Sequence, residues 1–392
     1  MILPFFYFFT LVLNLNNSTD NEYQCIAPLR TPPPIAGMKS LFAGVILRHG
    51  SRTPQVAYLP RSNRGYWICD SDDAISPRMY SSSLSSYRRF SRVLDPRHVE
   101  FLPNCRSGDL LIEGMQQHQR LGEMYHDYLY NQINLFDEAP KNEEVYARST
   151  DIERTFRSCQ AFLNGAFPPQ KPFEYLSIVH GSDFSEILRP GSFCKEENAA
   201  SAAFNSDINV LNYSQKEWKK LEHVANELQL DYSLSNLQLI ADWIYTYHCN
   251  DRRLPSFVTQ NDILRSHKIL GKLFQRYYEG NGAIYASYSM REVLRIAEIS
   301  LKKRNPKFAV FSAHDSTVFG FLEFLNKKIK LLPPYASHIL FEIFKLNGEE
   351  QIRWSYNGEV IPLNKFDGNN YMPYFKFVEK VKGIYDMCHE LP

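Results

Sequence analysis

Three short stretches of the sequence combine basic side chains with groups that can attack or protonate a substrate. They are Arg48-His49-Gly50-Ser51-Arg52, Arg148-Ser149-Thr150 and His314-Asp315. If the fold brings these stretches together, they form a pocket with three guanidiniums, two imidazoles and one carboxyl group. A guanidinium matches the geometry of phosphate oxygens and stays charged at any physiological pH. The composition of this pocket therefore predicts binding of a phosphoryl group.

Each member of this constellation has a chemical role that suits its residue type. His49 is the candidate nucleophile, because a neutral imidazole nitrogen can attack phosphorus and nearby arginines favour the neutral form. Asp315 is the candidate general acid for the leaving alcohol. The members expected to bind the phosphate oxygens are Arg48, Arg52, Arg148 and His314. Because Asp315 must be protonated while His49 is neutral, an acidic, bell-shaped pH optimum is expected.

Each of the three stretches directly follows a short apolar run. Residues 41–47, 145–147 and 307–313 have the length and continuity of buried strands in a parallel sheet. In open α/β sheets, ligands bind beyond the carboxyl ends of the strands. The pattern therefore predicts an α/β core whose mainly parallel sheet, flanked by helices, brings the three stretches to one edge.

The rest of the chain indicates how this core is built and interrupted. Apolar residues at helical spacing predict a helix over about 110–131, and alternation on either side of Asn347-Gly348 predicts a hairpin. Residues 55–108 are polar and read as a long excursion over the surface. A mostly helical cap is expected over 167–294, its last helix opened by a capping box at Ser289, between core segments 38–166 and 295–390.

Length and composition narrow the class of protein. At about 150 residues per domain, 392 residues suggest two domains. The 44 Lys and Arg against 43 Asp and Glu leave a net charge of +1, which argues against a nucleic-acid partner. A hydrophobic fraction of 44% excludes a disordered chain, and a mean hydropathy of −0.37 excludes a polytopic membrane protein.

Residues 1–22 have the apolar core length of a secretory signal peptide, with an uncleaved anchor or a buried terminal segment as the alternatives. No later apolar run reaches the roughly 20 residues of a spanning helix, so no stable membrane span is expected after processing. The predicted location is outside the cell or in a lysosomal or vacuolar lumen. In that compartment the sequons at Asn17 and Asn212 permit glycosylation.

An oxidising compartment would pair most of the seven cysteines. Cys69 with Cys105 and Cys194 with Cys388 are candidate pairs, although sequence alone leaves the connectivity open. The adjacent His248 and Cys249 lack the further ligands of a zinc site, and no metal or cofactor is predicted.

The motifs resemble those of the histidine acid phosphatases, the acid phosphatase branch of the histidine phosphatase superfamily. The run from Arg48 to Pro54 is similar to the family motif RHGxRxP, and His314-Asp315 is similar to its HD motif. Residues 148–155 resemble the segment that supplies the third phosphate-binding arginine. Matches occur in the family order over about 41–344, with the inserted region the least recognisable.

The resemblance implies a core like that of phosphoglycerate mutase with a helical cap. It also implies a covalent phosphohistidine on His49, proton donation by Asp315, and no metal or cofactor. Family members often pair a cap cysteine with a cysteine that follows Pro-Pro-Tyr-Ala-Ser. This chain has His338 at that position, so the resemblance supplies no partner for Cys249.

The sequence therefore predicts an acid phosphatase acting on small phosphomonoesters. A non-catalytic binder of phosphorylated ligands is the main alternative, because the same arginines would serve it. A substrate-specialised member, such as a phytase or a glycan phosphatase, is also open, since the cap chooses among substrates that share one phosphoryl group. A mutase is a weaker alternative, and the sequence allows a homodimer.

Overall fold

The structure is a computed structural model that describes residues 24–70, 93–169, 175–181, 186–189 and 194–383. The predicted signal peptide, the Asn17 sequon, Cys388 and residues 71–92 of the predicted surface excursion lie outside these ranges.

The described residues form a mixture of strands and helices, with a run of five helices between β5 and β6. The strands are β1 (Lys39–Arg48), β2 (Tyr66–Trp67), β3 (Leu102–Pro103), β4 (Val145–Ser149), β5 (Ile178–His180), β6 (Phe308–Ala313), β7 (His338–Leu346), β8 (Glu349–Tyr356), β9 (Glu359–Val360) and β10 (Met372–Pro373). The α-helices are α1 (Ile112–Asp127), α2 (Glu153–Ala166), α3 (Lys195–Ser206), α4 (Ile208–Glu227), α5 (Leu234–Cys249), α6 (Gln260–Tyr278), α7 (Gly282–Lys303), α8 (Asp315–Phe324) and α9 (Tyr374–Lys382).

The main sheet has the strand order β10-β8-β7-β1-β6-β4-β5, with β9 beside β8. Strands β1, β6, β4 and β5 are parallel, and β7 and β8 extend the sheet as an antiparallel hairpin. The three predicted strands and the hairpin are confirmed, and so is the α/β fold. The hairpin turns at Asn347 and Gly348. Both residues have positive φ, as a two-residue type I′ turn requires.

The central strands are buried on both faces, which explains their continuous apolar runs. Side chains alternate between the faces, so Phe42 and Ile46 of β1 join one core cluster and Val45 and Leu47 join another. Helices α7, α8 and α9 cover the first face. Helices α1 and α2 cover the second. Because β1, β6, β4 and β5 are parallel, their carboxyl ends lie at one edge of the sheet between these helix layers.

A separate core cluster lies among helices α4, α5 and α6, and includes Trp218, Trp243 and Ile269. The described flanks of the predicted surface excursion pack into it as well, because Trp67 and Phe101 are fully buried. The interpretation of that segment as purely superficial was therefore wrong for these flanks. Apolar residues among many polar ones were too sparse to show periodicity.

Two elements that begin within the predicted cap range of 167–294 pack with the main sheet instead. Strand β5 falls within 167–294 but pairs with β4 in the main sheet. Helix α7 begins at Gly282 and packs against the sheet, so the predicted capping box at Ser289 lies inside the helix. Ser289 instead donates a hydrogen bond to the carbonyl of Ile187, which explains why a polar residue is buried there.

Two disulfides link described residues, Cys69–Cys105 as predicted and Cys25–Cys249. The second pair gives Cys249 a partner that sequence reasoning had not found. Cys194 is also disulfide-bonded; its pairing with Cys388 stays a prediction, since Cys388 lies outside the described residues. Within the described ranges, no helix is both long and apolar enough to cross a membrane.

Helices α1 and α2 approach each other most closely at Gly122 and Gly165. A Cβ atom on Gly122 would collide with the backbone of Phe162. We expect Gly122→Ala to lower the free energy of unfolding by about 1–2 kcal/mol, because overpacking costs more than the helix propensity gained. Gly383→Ala meets open space and is the control. Denaturant unfolding of both variants checks this; equal stability would contradict it.

Candidate active site

The predicted stretches meet at the carboxyl edge of the parallel strands. The last residue of β1, Arg48, is in register with Ala313, the last residue of β6, and the His49 amide donates to the carbonyl of Ala313 at 3.0 Å. The rings of His49 and His314 consequently lie with centroids 5.7 Å apart. Parallel pairing thus brings together residues that are far apart in the sequence.

His49 is held as a neutral imidazole with one defined tautomer. Its Nδ1 lies 2.8 Å from the carbonyl oxygen of Gly50, which can only accept, so Nδ1 carries the proton and Nε2 keeps its lone pair. Burial holds the pKa of His49 well below its usual value, and the charges of Arg154, Arg48 and Arg52 lower it further. The geometry and the charges both favour Nε2 as a nucleophile.

The loop that carries His49 lies against the first turn of α1. A Cβ atom on Gly50 would collide with the backbone of Gly114, so both positions need glycine for this close approach. Gln117 of α1 accepts from the Ser51 amide at 2.9 Å and donates to its hydroxyl at 2.8 Å. These contacts fix the loop between His49 and Arg52.

Arg48, which precedes His49 in the chain, is fully buried. Its guanidinium pairs with Asp315 at 2.9 Å, lies 4.4 Å from the ring centre of Tyr335 and donates to the carbonyl of Pro333. Burial alone would lower its pKa, but the charge of Asp315 and the neighbouring Tyr245 and Tyr335 outweigh burial and raise it. Arg48 therefore keeps its charge although it is removed from water.

Arg52 is also buried and is held by a carboxylate from helix α5. Asp242 accepts from Nη2 at 2.6 Å and from Nη1 at 3.3 Å. Burial opposes the charge, yet Asp242 raises the pKa of Arg52 above its ordinary value. Sequence reasoning missed Asp242, since nothing near it in the chain marks a site.

The third guanidinium beside the two histidines belongs to Arg154, and Arg148 lies elsewhere. Alternation along β4 puts Arg148 on the same face as Tyr146, to which it is hydrogen-bonded, and Tyr146 donates to Glu292 of α7 at 2.6 Å. Arg154, in the first turn of α2, reaches Nδ1 of His314 at 3.4 Å. Burial, with the charge of Arg52, lowers the pKa of Arg154 to about 10.

The assignment of Arg148 to the phosphate cluster therefore does not fit its placement. The prediction took the first arginine after the strand, whereas the helix that follows carries the arginine pointing into the cluster. The predicted strand ended at residue 147, whereas the strand in the structure continues to Ser149, so Arg148 follows the alternation of the strand.

His314 is neutral in this environment and is oriented by hydroxyl groups. Its Nδ1 faces the Arg154 donor, so Nε2 carries the proton and donates to Thr150 at 3.1 Å. Thr150 in turn lies 2.6 Å from the hydroxyl of Thr155. Burial lowers the pKa of His314 well below its usual value, as do Arg154 and Arg189.

Asp315 opens helix α8, and its side chain is 18% exposed. One oxygen pairs with Arg48, and the other accepts from the Ser316 amide at 2.9 Å. The carboxyl group thus lies between the buried arginines and solvent. In this position it can exchange a proton with a group that leaves toward water.

The three clustered arginines each have a buried Nε that finds no acceptor among the described residues: Arg48, Arg52 and Arg154. Buried donors in proteins are nearly always bonded. Arg252 and Arg265, away from the cluster, share this feature, so the charges, rather than the Nε atoms, indicate an anion site. Arg48, Arg52 and Arg154 bring three positive charges, and the carboxylates paired with them among the described residues are Asp315 and Asp242. An anion such as a phosphate would balance the remaining positive charge.

Among the described residues, one group of side chains has the spacing of metal ligands. The sulfurs of Cys25 and Cys249 and a ring nitrogen of His267 lie within 4.8 Å of one another. Both sulfurs are joined in a disulfide, however, so they offer no thiolate.

Comparison with known proteins agrees with this geometry. Residues 41–357 match the model of the histidine phosphatase superfamily, branch 2, so the chain belongs to that family. Counting factor 60 of Dictyostelium discoideum is 24% identical over 382 residues, which cover 91% of this chain and 88% of that protein. Lysosomal acid phosphatase of Homo sapiens is 27% identical over 275 residues, covering 64% of this chain and 62% of that protein.

Solved structures share the fold. The phytase of Hafnia alvei in complex with myo-inositol hexakis sulphate superposes with a TM-score of 0.60 at 15% identity, covering 92% of this chain and all (100%) of that one. The multiple inositol polyphosphate phosphatase of Bifidobacterium longum, in complex with inositol hexasulfate, gives 0.57 at 11% identity, covering 92% and 97%. The predicted family and its α/β core are thus confirmed.

The placement of the two arginines can be tested by substitution. We expect Arg154→Ala to reduce kcat/KM for p-nitrophenyl phosphate by about 10²-fold or more, because a preorganised donor to the phosphoryl oxygens is lost. Arg148→Ala is the matched control and should change kcat/KM less than fivefold. Steady-state kinetics of both purified variants provides the measurement. A larger loss for Arg148→Ala would reverse the assignment.

Proposed function

We propose that this chain is an acid phosphatase that hydrolyses phosphomonoesters through a phosphohistidine intermediate. The observation that carries the proposal is the neutral His49, whose Nε2 keeps its lone pair beside buried arginines and the carboxyl group of Asp315. Membership of the histidine phosphatase superfamily supports the same conclusion, and curated relatives include lysosomal and prostatic acid phosphatases.

In the first step, Nε2 of His49 attacks phosphorus and the bond to the ester oxygen breaks. Protonated Asp315 gives its proton to that oxygen, so the alcohol leaves neutral. The arginines stabilise the charge that develops on the equatorial oxygens, and His314 supports them. We assign this role to Arg48, Arg52 and Arg154, with His314 oriented by Thr150.

In the second step, water attacks phosphorus and the bond to Nε2 breaks. The carboxylate of Asp315 takes the proton of the water, which restores the acid form and releases inorganic phosphate. His49 regains its lone pair while Nδ1 stays bonded to the Gly50 carbonyl throughout. Neither step requires a cofactor to balance.

The non-catalytic binder is the second candidate, and the same arginines would serve it. The intact pair of His49 and Asp315 favours catalysis, since a binder needs neither a nucleophile nor a partly exposed acid. Which phosphomonoester is used in nature, including the phytase and glycan phosphatase alternatives, depends on the cap and is open to a substrate panel.

We further propose that the protein works outside the cell or in a lysosomal or vacuolar lumen. The Cys25–Cys249 and Cys69–Cys105 disulfides support this location, because structural disulfides persist in oxidising compartments. An acidic lumen also suits a mechanism that needs Asp315 protonated.

The lowered pKa of His49 has a consequence for the pH profile. Because its folded pKa lies well below 6.5, the free-base nucleophile persists as pH falls through 6.5. We expect the acid limb of kcat/KM to lie well below pH 6.5, because His49 stays unprotonated there. Initial rates on p-nitrophenyl phosphate from pH 3 to 8 check this. An acid limb near pH 6.5 would show that His49 titrates like an exposed imidazole.

The covalent intermediate can be trapped. With ³²P-labelled substrate and rapid quenching at alkaline pH, the wild type should carry acid-labile label and His49→Ala should carry none.

Steady-state kinetics tests the acid and base. Asp315→Asn should lose about 10²–10⁴-fold in kcat, because the general acid and base is absent. His223→Ala, a half-exposed histidine of the cap, is the control. Full hydrolysis by His49→Ala would rule out the mechanism, and phosphate binding without turnover by the wild type would establish the binder.

A further inference from the structure

The cap helix α5 contributes a carboxylate to the phosphate cluster. Asp242 grips the guanidinium of Arg52 through both terminal nitrogens, at 2.6 and 3.3 Å. The amide of Gln55 also donates to Asp242, at 3.3 Å. Both partners of the ion pair are nearly removed from water, with 3% of the Arg52 side chain and 9% of the Asp242 side chain exposed. The pair joins the helical cap to the loop after β1.

This contact determines which edge of Arg52 remains available. Nη1 and Nη2 are engaged by Asp242, and Nη1 also donates to the Thr53 carbonyl at 2.9 Å. The buried Nε finds no acceptor among the described residues. By binding both terminal nitrogens, the carboxylate therefore fixes the orientation of the guanidinium and leaves Nε as the donor without a bond to a described residue.

Asp242 also changes the charge of the cluster. It raises the pKa of Arg154, opposing the effects of burial and Arg52, so its field reaches beyond its direct partner. Counting Arg48, Arg52 and Arg154 with the carboxylate of Asp315 alone, these groups carry a net charge of +2, and Asp242 reduces it to +1. A lower net charge weakens the attraction for every phosphate, including the product.

Resting on the proposed function, we infer that Asp242 is a positioning residue of the phosphatase reaction. From the cap, it orients Arg52 toward the phosphoryl group and limits the affinity of the site for inorganic phosphate, so that product leaves.

Two substitutions separate the effect of the Asp242 charge from the effect of its hydrogen bonds to Arg52. Asp242→Asn keeps the size and one acceptor oxygen but removes the charge, so the inhibition constant of inorganic phosphate should fall on the order of tenfold. Asp242→Ala removes the acceptors, so kcat/KM for p-nitrophenyl phosphate should fall at least tenfold. Glu217→Gln is the matched control, because Glu217 is a cap carboxylate, 10% exposed, that pairs with Arg265 away from the cluster. It should change neither quantity.

A double-mutant comparison tests whether Asp242 acts through Arg52. In an Arg52→Ala background, the carboxylate is left unpaired and repels the substrate. Adding Asp242→Ala there should raise kcat/KM, the opposite sign to its effect in the wild type. The same loss in both backgrounds would show a merely structural tie and overturn the inference, as would an unchanged phosphate inhibition constant for Asp242→Asn.

Calorimetric titration of inorganic phosphate into the wild type and Asp242→Asn distinguishes failure of the proposed function from failure of the inference about Asp242. Wild-type protein that neither binds phosphate nor hydrolyses esters would defeat the proposed function and this inference together. Wild-type protein that does both, with no tighter phosphate binding by Asp242→Asn, would defeat the inference alone.

Discussion

The burial of three guanidiniums around one point is the constraint on which the site depends. Removing a charge from water costs several kcal/mol unless partners replace the solvent. The fold supplies them unequally: Arg48 pairs with Asp315, Arg52 pairs with Asp242, and Arg154 contacts a neutral histidine nitrogen while the two carboxylates act on it from a distance. Burial, with the charges of the arginines, keeps both histidines neutral. The remaining positive charge favours binding of an anion such as phosphate.

Local pattern was enough to predict the frame of the fold. Strands β1 and β6 consist mainly of apolar residues and are followed by polar clusters. Alternation on either side of an Asn-Gly turn indicates the β7–β8 hairpin. Buried parallel strands leave this signature because both faces must be apolar. The rule that ligands lie at the carboxyl edge then predicted that His49, His314 and Asp315 lie near one another, and the structure places them at that edge.

What the sequence could not reveal depends on contacts between distant residues. Asp242 reaches Arg52 across 190 positions, and Cys25 finds Cys249 across 224; no local spacing encodes either. The misplaced arginine has a different origin, since Arg148 and Arg154 lie in one segment and only the strand boundary separates their directions. Residues outside regular periodicity, such as Trp67, were likewise assigned to the surface although packing buries them.

The chain segment around Cys25 has a practical consequence. Ile26 forms a parallel bridge with Tyr335, whose ring lies over Arg48, and the neighbouring disulfide fastens this segment to the end of α5. Tyr335 is therefore tethered, through this segment, to helix α5 by a bond that cytosolic thiols would reduce. Recombinant protein intended for kinetic work should be produced in a periplasm or secretory pathway, and its thiol content should be titrated before any loss of turnover is attributed to a substitution.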